Sequence, residues 1–250
     1  MDLFQSPPPL PFSLPPDDPR CAVQWRPEPR AYRVTVPDGE LLFIEHFLDA
    51  TVANRARDFL RAVDGQDPRT LSWAALAPAD INALPFTNIR WKQDSIRMYG
   101  KQLPLPRLTA WYADAGHGYR YSGIDNPALP WNDGLLWLKR HVEQAAQARF
   151  NSVMLNWYRG GEDWLGWHAD DEPELGTNPV IASLSLGATR DFQLRHNDDK
   201  ALKLNFPLDH GSLLVMRGAL QHHWQHAVPK RKRVANARFN LTFRWIHNGA

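Results

Sequence analysis

Seven residues near the end of the chain, Arg238-Phe239-Asn240-Leu241-Thr242-Phe243-Arg244, alternate polar and apolar without a break. Successive side chains of a strand point to opposite faces, so Arg238, Asn240, Thr242 and Arg244 share one side and Phe239, Leu241 and Phe243 the other. The polar side reads as the wet face of an antiparallel strand or, more sharply, as a pocket for a small dianion. A guanidinium is always charged and meets a carboxylate with two parallel hydrogen bonds, while Asn and Thr add neutral partners. Upstream, Trp167-His168-Ala169-Asp170 places an imidazole and a carboxylate two residues apart. On an extended segment both project the same way and can share a metal ion. Two His and one carboxylate on one face of an octahedron leave the other positions open, the arrangement suited to non-haem iron(II) and oxygen. His222, His223 and His226 are the candidates for the third ligand. His-x-Asp alone fits a surface turn in the acidic stretch His168-Ala169-Asp170-Asp171-Glu172. Followed in order by a histidine cluster and an arginine strand, it fits a metal centre better.

The elements that must carry these groups are mostly short strands. Strand signals at Val153 to Trp157, Val180 to Leu186, Phe192 to Arg195, Leu202 to Leu208 and Ser212 to Met216, with turns between them, predict a sandwich or jelly roll. Tyr32-Val34-Val36, then Leu41 and Phe43, predict an opening hairpin around Pro37-Asp38-Gly39. Thr51 to Val63 and Leu135 to Ala146 carry apolar residues near helical spacing and predict helices packed on the sheet. The fold class is therefore mostly β with flanking helices, α+β. Residues 1–29, dense in proline and without periodicity, read as an extended or disordered tail with no chemistry assigned.

A chain of 250 residues is long enough for one large domain with a full core, and a β-rich domain of that length need not be divided. Cys21 is the only cysteine, which excludes an internal disulfide and a stapled secreted scaffold. The opening residues have no basic region followed by an apolar core, and no later run is long enough to cross a bilayer. A cytoplasmic location, or a nuclear one in a eukaryote, and a monomeric state are the default expectations. The formal net charge of +2 gives the whole molecule little attraction for nucleic acid, so any such binding must come from local patches. Lys230-Arg231-Lys232-Arg233 is the densest positive run, of a kind that is usually a solvated loop.

Taken together the chain resembles the AlkB-type iron(II)- and 2-oxoglutarate-dependent dioxygenases. The matching pieces are Asn156-Trp157-Tyr158, His168-Ala169-Asp170, His226 in His226-Ala227-Val228-Pro229, and Arg238 through Arg244, and the likeness runs from about Phe86 to the end. The resemblance implies a double-stranded β-helix form of the jelly roll over 151–248, with the metal held inside one end. Residues 30–150 would then be an N-terminal extension and nucleotide-recognition lid within one domain, 30–250. It implies His168, Asp170 and His226 as ligands, choosing His226 over His222 and His223, and Asn156, Tyr158, Arg238, Asn240 and Arg244 as the 2-oxoglutarate pocket. Iron(II), 2-oxoglutarate as co-substrate and oxygen are the implied cofactors. The implied reaction turns 2-oxoglutarate into succinate and CO2 and hydroxylates an alkyl group on a heteroatom, which leaves as an aldehyde.

On a base alkylated at its Watson–Crick edge, such as 1-methyladenine or 3-methylcytosine, that reaction is direct repair, and it requires the nucleotide to be extruded into a pocket. Tyr119-Arg120-Tyr121-Ser122-Gly123 resembles the family's lid. Tyr121 would stack on the base opposite His168, with Tyr119 and Ser122 along its edge or backbone. Asp171 and Glu172 would favour cationic adducts over the neutral base. Met98-Tyr99-Gly100 matches the finger that the duplex-DNA-repair branch inserts where the base has left the stack. Lys230-Arg231-Lys232-Arg233 matches the basic loop set against the opposite strand, with Arg107 a weaker candidate for the same surface. The expected partner is alkylated duplex DNA. Tyr121 stands where that branch often has Phe, and Met98-Tyr99 differs from its usual pair; both could shift preference toward single strands. The alternatives are the same chemistry on single-stranded DNA, RNA, a protein side chain or a small molecule, or a jelly roll that binds nucleic acid without catalysis.

Overall fold

The computed structural model describes residues 9–15, 18–28, 30–61, 89–98, 101–121 and 124–247, and for 96–98, 101–102, 119–121 and 124–126 the backbone only. The first strands are β1 (Ala22–Arg26), β2 (Ala31–Val36) and β3 (Gly39–Ile44). β2 and β3 form the expected hairpin, closing with Val36 opposite Gly39, and Asp38 takes a φ of 61° in the turn. α1 (Ala50–Arg61) follows, its first turn held by Asp49 Oδ1 accepting from the Val52 N–H at 3.0 Å. Its apolar stripe of Val52, Ala53, Ala56, Phe59 and Leu60 is buried. Val63, expected at its end, lies outside the described residues.

β4 (Ser95–Met98) and β5 (Lys101–Pro104) pair antiparallel with Met98 opposite Lys101. β6 (Leu108–Ala113) joins the main sheet, and β7 (Tyr119–Tyr121) and β8 (Ile124–Asn126) form a small ribbon of their own. α2 (Asp133–Ala146) starts at Asn132, whose Oδ1 accepts from the Leu135 N–H at 2.8 Å. The remaining elements are β9 (Ser152–Tyr158), β10 (Leu165–His168), β11 (Ile181–Gly187), β12 (Arg190–His196), β13 (Lys203–Leu208) and β14 (Ser212–Arg217), then the one-turn helix α3 (Leu220–His223), β15 (Trp224–Val228) and β16 (Arg238–Arg244). None of the helices among the described residues is long and apolar enough to cross a membrane.

The strands form an eight-stranded sheet, β1-β2-β3-β14-β11-β16-β9-β6, and a four-stranded sheet, β10-β15-β12-β13. α1 and α2 pack on one face of the large sheet through Leu155, Leu184, Leu213, Leu241 and Phe243. The small sheet covers its other face through Leu194, Leu204, Phe206, Leu214 and Met216. This is the jelly-roll sandwich that the strand signals predict.

The segment expected as a disordered tail is in large part built into this fold. Phe12 is 6% exposed and its ring meets Tyr32, Phe43 and Phe206 at centroid distances of 5.3, 6.0 and 4.7 Å. Ser13 exchanges both backbone hydrogen bonds with Asn205 on β13, and β1 pairs with β2 along its whole length. One apolar ring entering a ready-made hole and a few ladder bonds are enough to order a proline-rich stretch that has no periodicity to announce it.

Candidate active site

β16 is buried at every position, which removes the reading of its polar side as a wet face. Phe239, Leu241 and Phe243 lie in the cluster shared with the helices. Arg238, Asn240, Thr242 and Arg244 look instead into a cavity. β9 and β11, the neighbours of β16, follow the same period. Met154, Asn156 and Tyr158 from β9 and Ser183 from β11 line the same wall, with Asn156 opposite Asn240 and Tyr158 opposite Arg238. The small sheet brings Leu165, His168, Phe192, His226 and Val228 to the facing wall.

His168, Asp170 and His226 each offer a ligand-type atom, all within 4.8 Å of one another. His168 ends β10 and His226 stands opposite it on β15. The Nδ1 of His168 donates to the Gly166 carbonyl at 2.8 Å, an assignment made from the partner, which leaves Nε2 as the lone pair facing the cavity. The Oδ1 of Asp170 and the Nδ1 of His226 are buried without a hydrogen-bond partner among the described residues. Oδ2 of Asp170 accepts from Arg244 Nη2 at 2.6 Å.

Burial pushes the His226 imidazole down to about 3, helped by the neighbouring His168 and Arg244 and opposed by Asp170. Burial also lowers His168, against the pull of Asp170. For Asp170 burial acts upward, but Arg244, His226 and His168 outweigh it and hold the carboxyl at about 2. At neutral pH the trio is thus two neutral imidazoles and one carboxylate, a donor set that fits a divalent iron. The unpaired Oδ1 of Asp170, 3.9 Å from His168 Nε2, is an atom an ion would satisfy.

Arg238 is 1% exposed and lies 5.3 Å from the Tyr158 ring, with Nη2 donating to Ser185 Oγ at 2.8 Å. Its Nε and Nη1 have no partner among the described residues, and burial lowers the guanidinium to about 10, opposed by Tyr158. A buried cation with two donors to spare calls for an anionic ligand. Asn240 lines the cavity with its amide fully engaged. Its Nδ2 donates to Ser183 Oγ at 2.7 Å and the Leu184 carbonyl at 3.2 Å, and its Oδ1 accepts from Thr242 at 2.9 Å. These bonds hold the cavity wall that Asn240 lines.

Arg107, expected as a substrate-binding residue and a weaker candidate for the basic surface, is found in the cavity instead of on that surface. It is 4% exposed and lines the cavity, with Nε donating to Asn156 Oδ1 at 2.8 Å, so it cannot belong to a basic surface. The basic run itself divides. Arg231 Nε donates to Asp191 Oδ2 at 2.6 Å, Lys230 lies 3.4 Å from Glu162, and Lys232 and Arg233 are exposed. The loop is tightly anchored. A Cβ on Gly161 would fall 1.7 Å from the Arg231 carbonyl oxygen, and the buried Arg190 donates to the carbonyls of Gly160, Asp163 and Pro229. Asp171 is exposed and Glu172 half-buried, and neither joins the cavity wall. Of the lid and finger, only the backbones of Tyr119, Tyr121 and Met98 are described; Ser122, Tyr99 and Gly100 lie outside the described residues.

A second trio, Asp38, His196 and His223, also clusters within 4.8 Å. There the His196 Nδ1 accepts the N–H groups of Asp198 and Asp199 at 3.2 and 3.1 Å, and Nε2 faces Asp38 Oδ2 at 3.3 Å. The neutral ring must therefore carry its proton on Nε2, where a ligand would need a lone pair. This trio ties a turn to the β2–β3 hairpin and is a poor metal site.

The wall residue Ser183 and the Arg238 partner Ser185 were not singled out from sequence, although Ser183-Leu184-Ser185 alternates with the same period as β16. Gln221, whose Oε1 accepts the Asp170 N–H at 3.0 Å, gave no signal at all.

A jelly roll that holds two imidazoles and a carboxylate beside a buried, anion-seeking Arg238 defines the class of non-haem iron oxygenases that take a 2-oxo acid. Residues 70–244 match the family described as the 2OG-Fe(II) oxygenase superfamily, and the chain belongs to that family, whose cofactors are iron(II), 2-oxoglutarate and oxygen. It is 44% identical over 169 residues to mouse (Mus musculus) alpha-ketoglutarate-dependent dioxygenase alkB homolog 3, covering 64% of this chain and 58% of that protein. It is 41% identical over 158 residues to human (Homo sapiens) DNA oxidative demethylase ALKBH2, covering 60% of each. The chain thus spans about three fifths of the length of these curated relatives. Among solved structures it is similar to OsALKBH1, with a TM-score of 0.48 and 15% identity over 82% of this chain and 96% of that one.

Proposed function

We propose that this chain is an iron(II)- and 2-oxoglutarate-dependent dioxygenase that removes alkyl groups from N-alkylated bases, 1-methyladenine and 3-methylcytosine among them, in duplex DNA. The observation that carries the reading is the facing of His168, Asp170 and His226 across one cavity from the two unpaired donors of Arg238. The relatives, a DNA oxidative demethylase among them, support DNA as the substrate. The protein would work wherever it meets DNA, in a nucleoid-bearing cytoplasm or a nucleus.

His168, Asp170 and His226 would hold the iron. Arg238 would take the carboxylate of 2-oxoglutarate farther from the metal, since Arg244 already neutralises Asp170. Tyr158 flanks Arg238, and the Asn156 amide is oriented by Arg107. With its co-substrate and oxygen, the bound metal supplies an oxidation in which one oxygen atom leaves in succinate as CO2 is lost. The other enters the alkyl carbon, whose C–N bond then breaks to give an aldehyde and the restored N–H.

Tyr121 and His168 would sandwich the extruded base, with Tyr119 and Ser122 at its edge and Asp171 and Glu172 near the mouth drawing cationic adducts. Met98, Tyr99 and Gly100 would fill the emptied stack. Lys230, Lys232 and Arg233 would meet phosphates while Arg231 keeps their loop in place. The unusual residues at Tyr121, Met98 and Tyr99 make single strands the alternative substrate.

The test is anaerobic loading with iron(II), then oxygen and 2-oxoglutarate with matched single- and double-stranded oligonucleotides carrying one 1-methyladenine. Restoration of the base with matching succinate, faster in the duplex, is expected. Faster repair of the single strand would overturn the duplex reading. Succinate without repair would move the substrate to RNA, protein or a small molecule, and absence of both would remove the enzyme.

A further inference from the structure

Asp170 has an unusual position for a residue asked to hold a metal with fixed geometry. β10 ends at His168, and it is the outermost strand of the small sheet. Two residues on, Asp170 lies on irregular backbone, where no sheet ladder can hold its N–H. A carboxylate swings with its backbone, so something else must fix the peptide if one chosen oxygen is to face the ion.

That partner is a side chain. Gln221 is 2% exposed, and its Oε1 accepts the Asp170 N–H at 3.0 Å. Its other end is also held, with Nε2 3.5 Å from the Sδ of Met216, itself a residue of the cavity wall. Gln221 sits on α3, the single turn that leads directly into β15 and therefore into His226. One buried amide thus joins the two chain segments that carry the candidate ligands. With the peptide fixed and Oδ2 bound to Arg244, Oδ1 of Asp170 is left turned to the imidazoles, 3.9 Å from His168 Nε2.

We infer that Gln221 is a positioning residue of the metal centre: by holding the backbone of Asp170 it selects the carboxylate oxygen presented to the ion and sets its distance from His168 and His226. The inference rests on the reading of His168, Asp170 and His226 as ligands. Outer partners of metal ligands commonly change affinity by about 10–100-fold when removed, because the ligand must then be ordered at the moment of binding.

The test uses the whole chain and cobalt(II), whose visible d–d spectrum reports coordination geometry. Gln221→Met keeps the volume and loses the acceptor; Gln221→Glu keeps an acceptor oxygen; His168→Ala is the control for the site. Expected are a clear d–d spectrum in the parent, and in Gln221→Met an affinity lowered by about 10–100-fold with an altered band shape. The metal-free unfolding midpoint should stay close to the parent's, and Gln221→Glu should return toward the parent spectrum. Parent-like affinity and spectrum in Gln221→Met would overturn the positioning role. So would equal losses in both variants tracking a lowered metal-free midpoint, since these would mark Gln221 as merely structural. If the parent gives no spectrum, or His168→Ala binds as the parent does, the metal site itself is misplaced and Gln221 has nothing to position.

Discussion

Arg244 and Asp170 form an ion pair at 2.6 Å with side chains only 7% and 1% exposed. Such a pair is costly to assemble and more costly to break, because removing one partner strands the other charge away from water. Arg244→Met should therefore destabilise the metal-free protein by about 3–5 kcal/mol. The double variant Arg244→Met with Asp170→Asn should recover much of that loss. Urea unfolding of all variants checks this, and a single variant as stable as the parent would show that the pair is not closed in solution.

Arg238 has the opposite sign. Its spare donors and buried charge lie idle without an anion. Arg238→Met should leave the ligand-free protein as stable as the parent or more so, yet weaken 2-oxoglutarate binding by about 10–100-fold, the equivalent of one charge-assisted hydrogen bond. Calorimetric titration together with unfolding measurements separates the two effects.

Within the basic run, exposure sorts the residues. Lys232→Ala and Arg233→Ala should each weaken nucleic-acid binding across sequences and reduce the slope of log K against log salt by about 1. Arg231→Ala removes the contact to Asp191 and should instead lower the stability of the loop, read as faster proteolysis between Pro229 and Val234. A salt slope unchanged in the first two variants would place the nucleic acid elsewhere.

His210 supplies a pH dependence away from the candidate ligands. Its Nδ1 accepts the Gly187 N–H at 2.9 Å, and burial lowers its pKa from 6.5, with Arg57 adding to the effect. The unfolded chain therefore takes up this proton first. The contribution to stability is intact above about pH 6.5 and declines as pH falls through that value. Urea midpoints at pH 7.5 and about 5.5 should differ less in His210→Gln, whose amide can accept from Gly187 without titrating.

Alternation made β16 readable, because a period of two separates the faces whatever surrounds them. Whether the polar face met water or a cavity depended on the small sheet that covers it, which no local pattern states. The histidines show a related limit. α3 turns into β15 between His223 and Trp224, and that change of period sends His222 outward and His226 inward. Spacing alone left all three open, and only the family resemblance separated them. Arg107 and Arg231 read as surface charge because the partners that occupy them, Asn156 and Asp191, lie on distant strands. Gln221 was silent for the same reason, since its partner is a peptide N–H from another part of the chain.

The family match begins at residue 70, beyond β1, β2, β3, α1 and the Phe12–Ser13 contact. Those earlier residues nevertheless flank both sheets, β3 along β14 and Ser13 along β13. A protein shortened to the recognised stretch would bare backbone on both strands at once, together with the apolar side chains of Leu214, Met216, Leu204 and Phe206. Two raw edges beside a greasy surface invite copies to zip together. The practical outcome would be precipitate rather than a smaller folded protein, so the stretch with the least recognisable sequence is what seals both sheets.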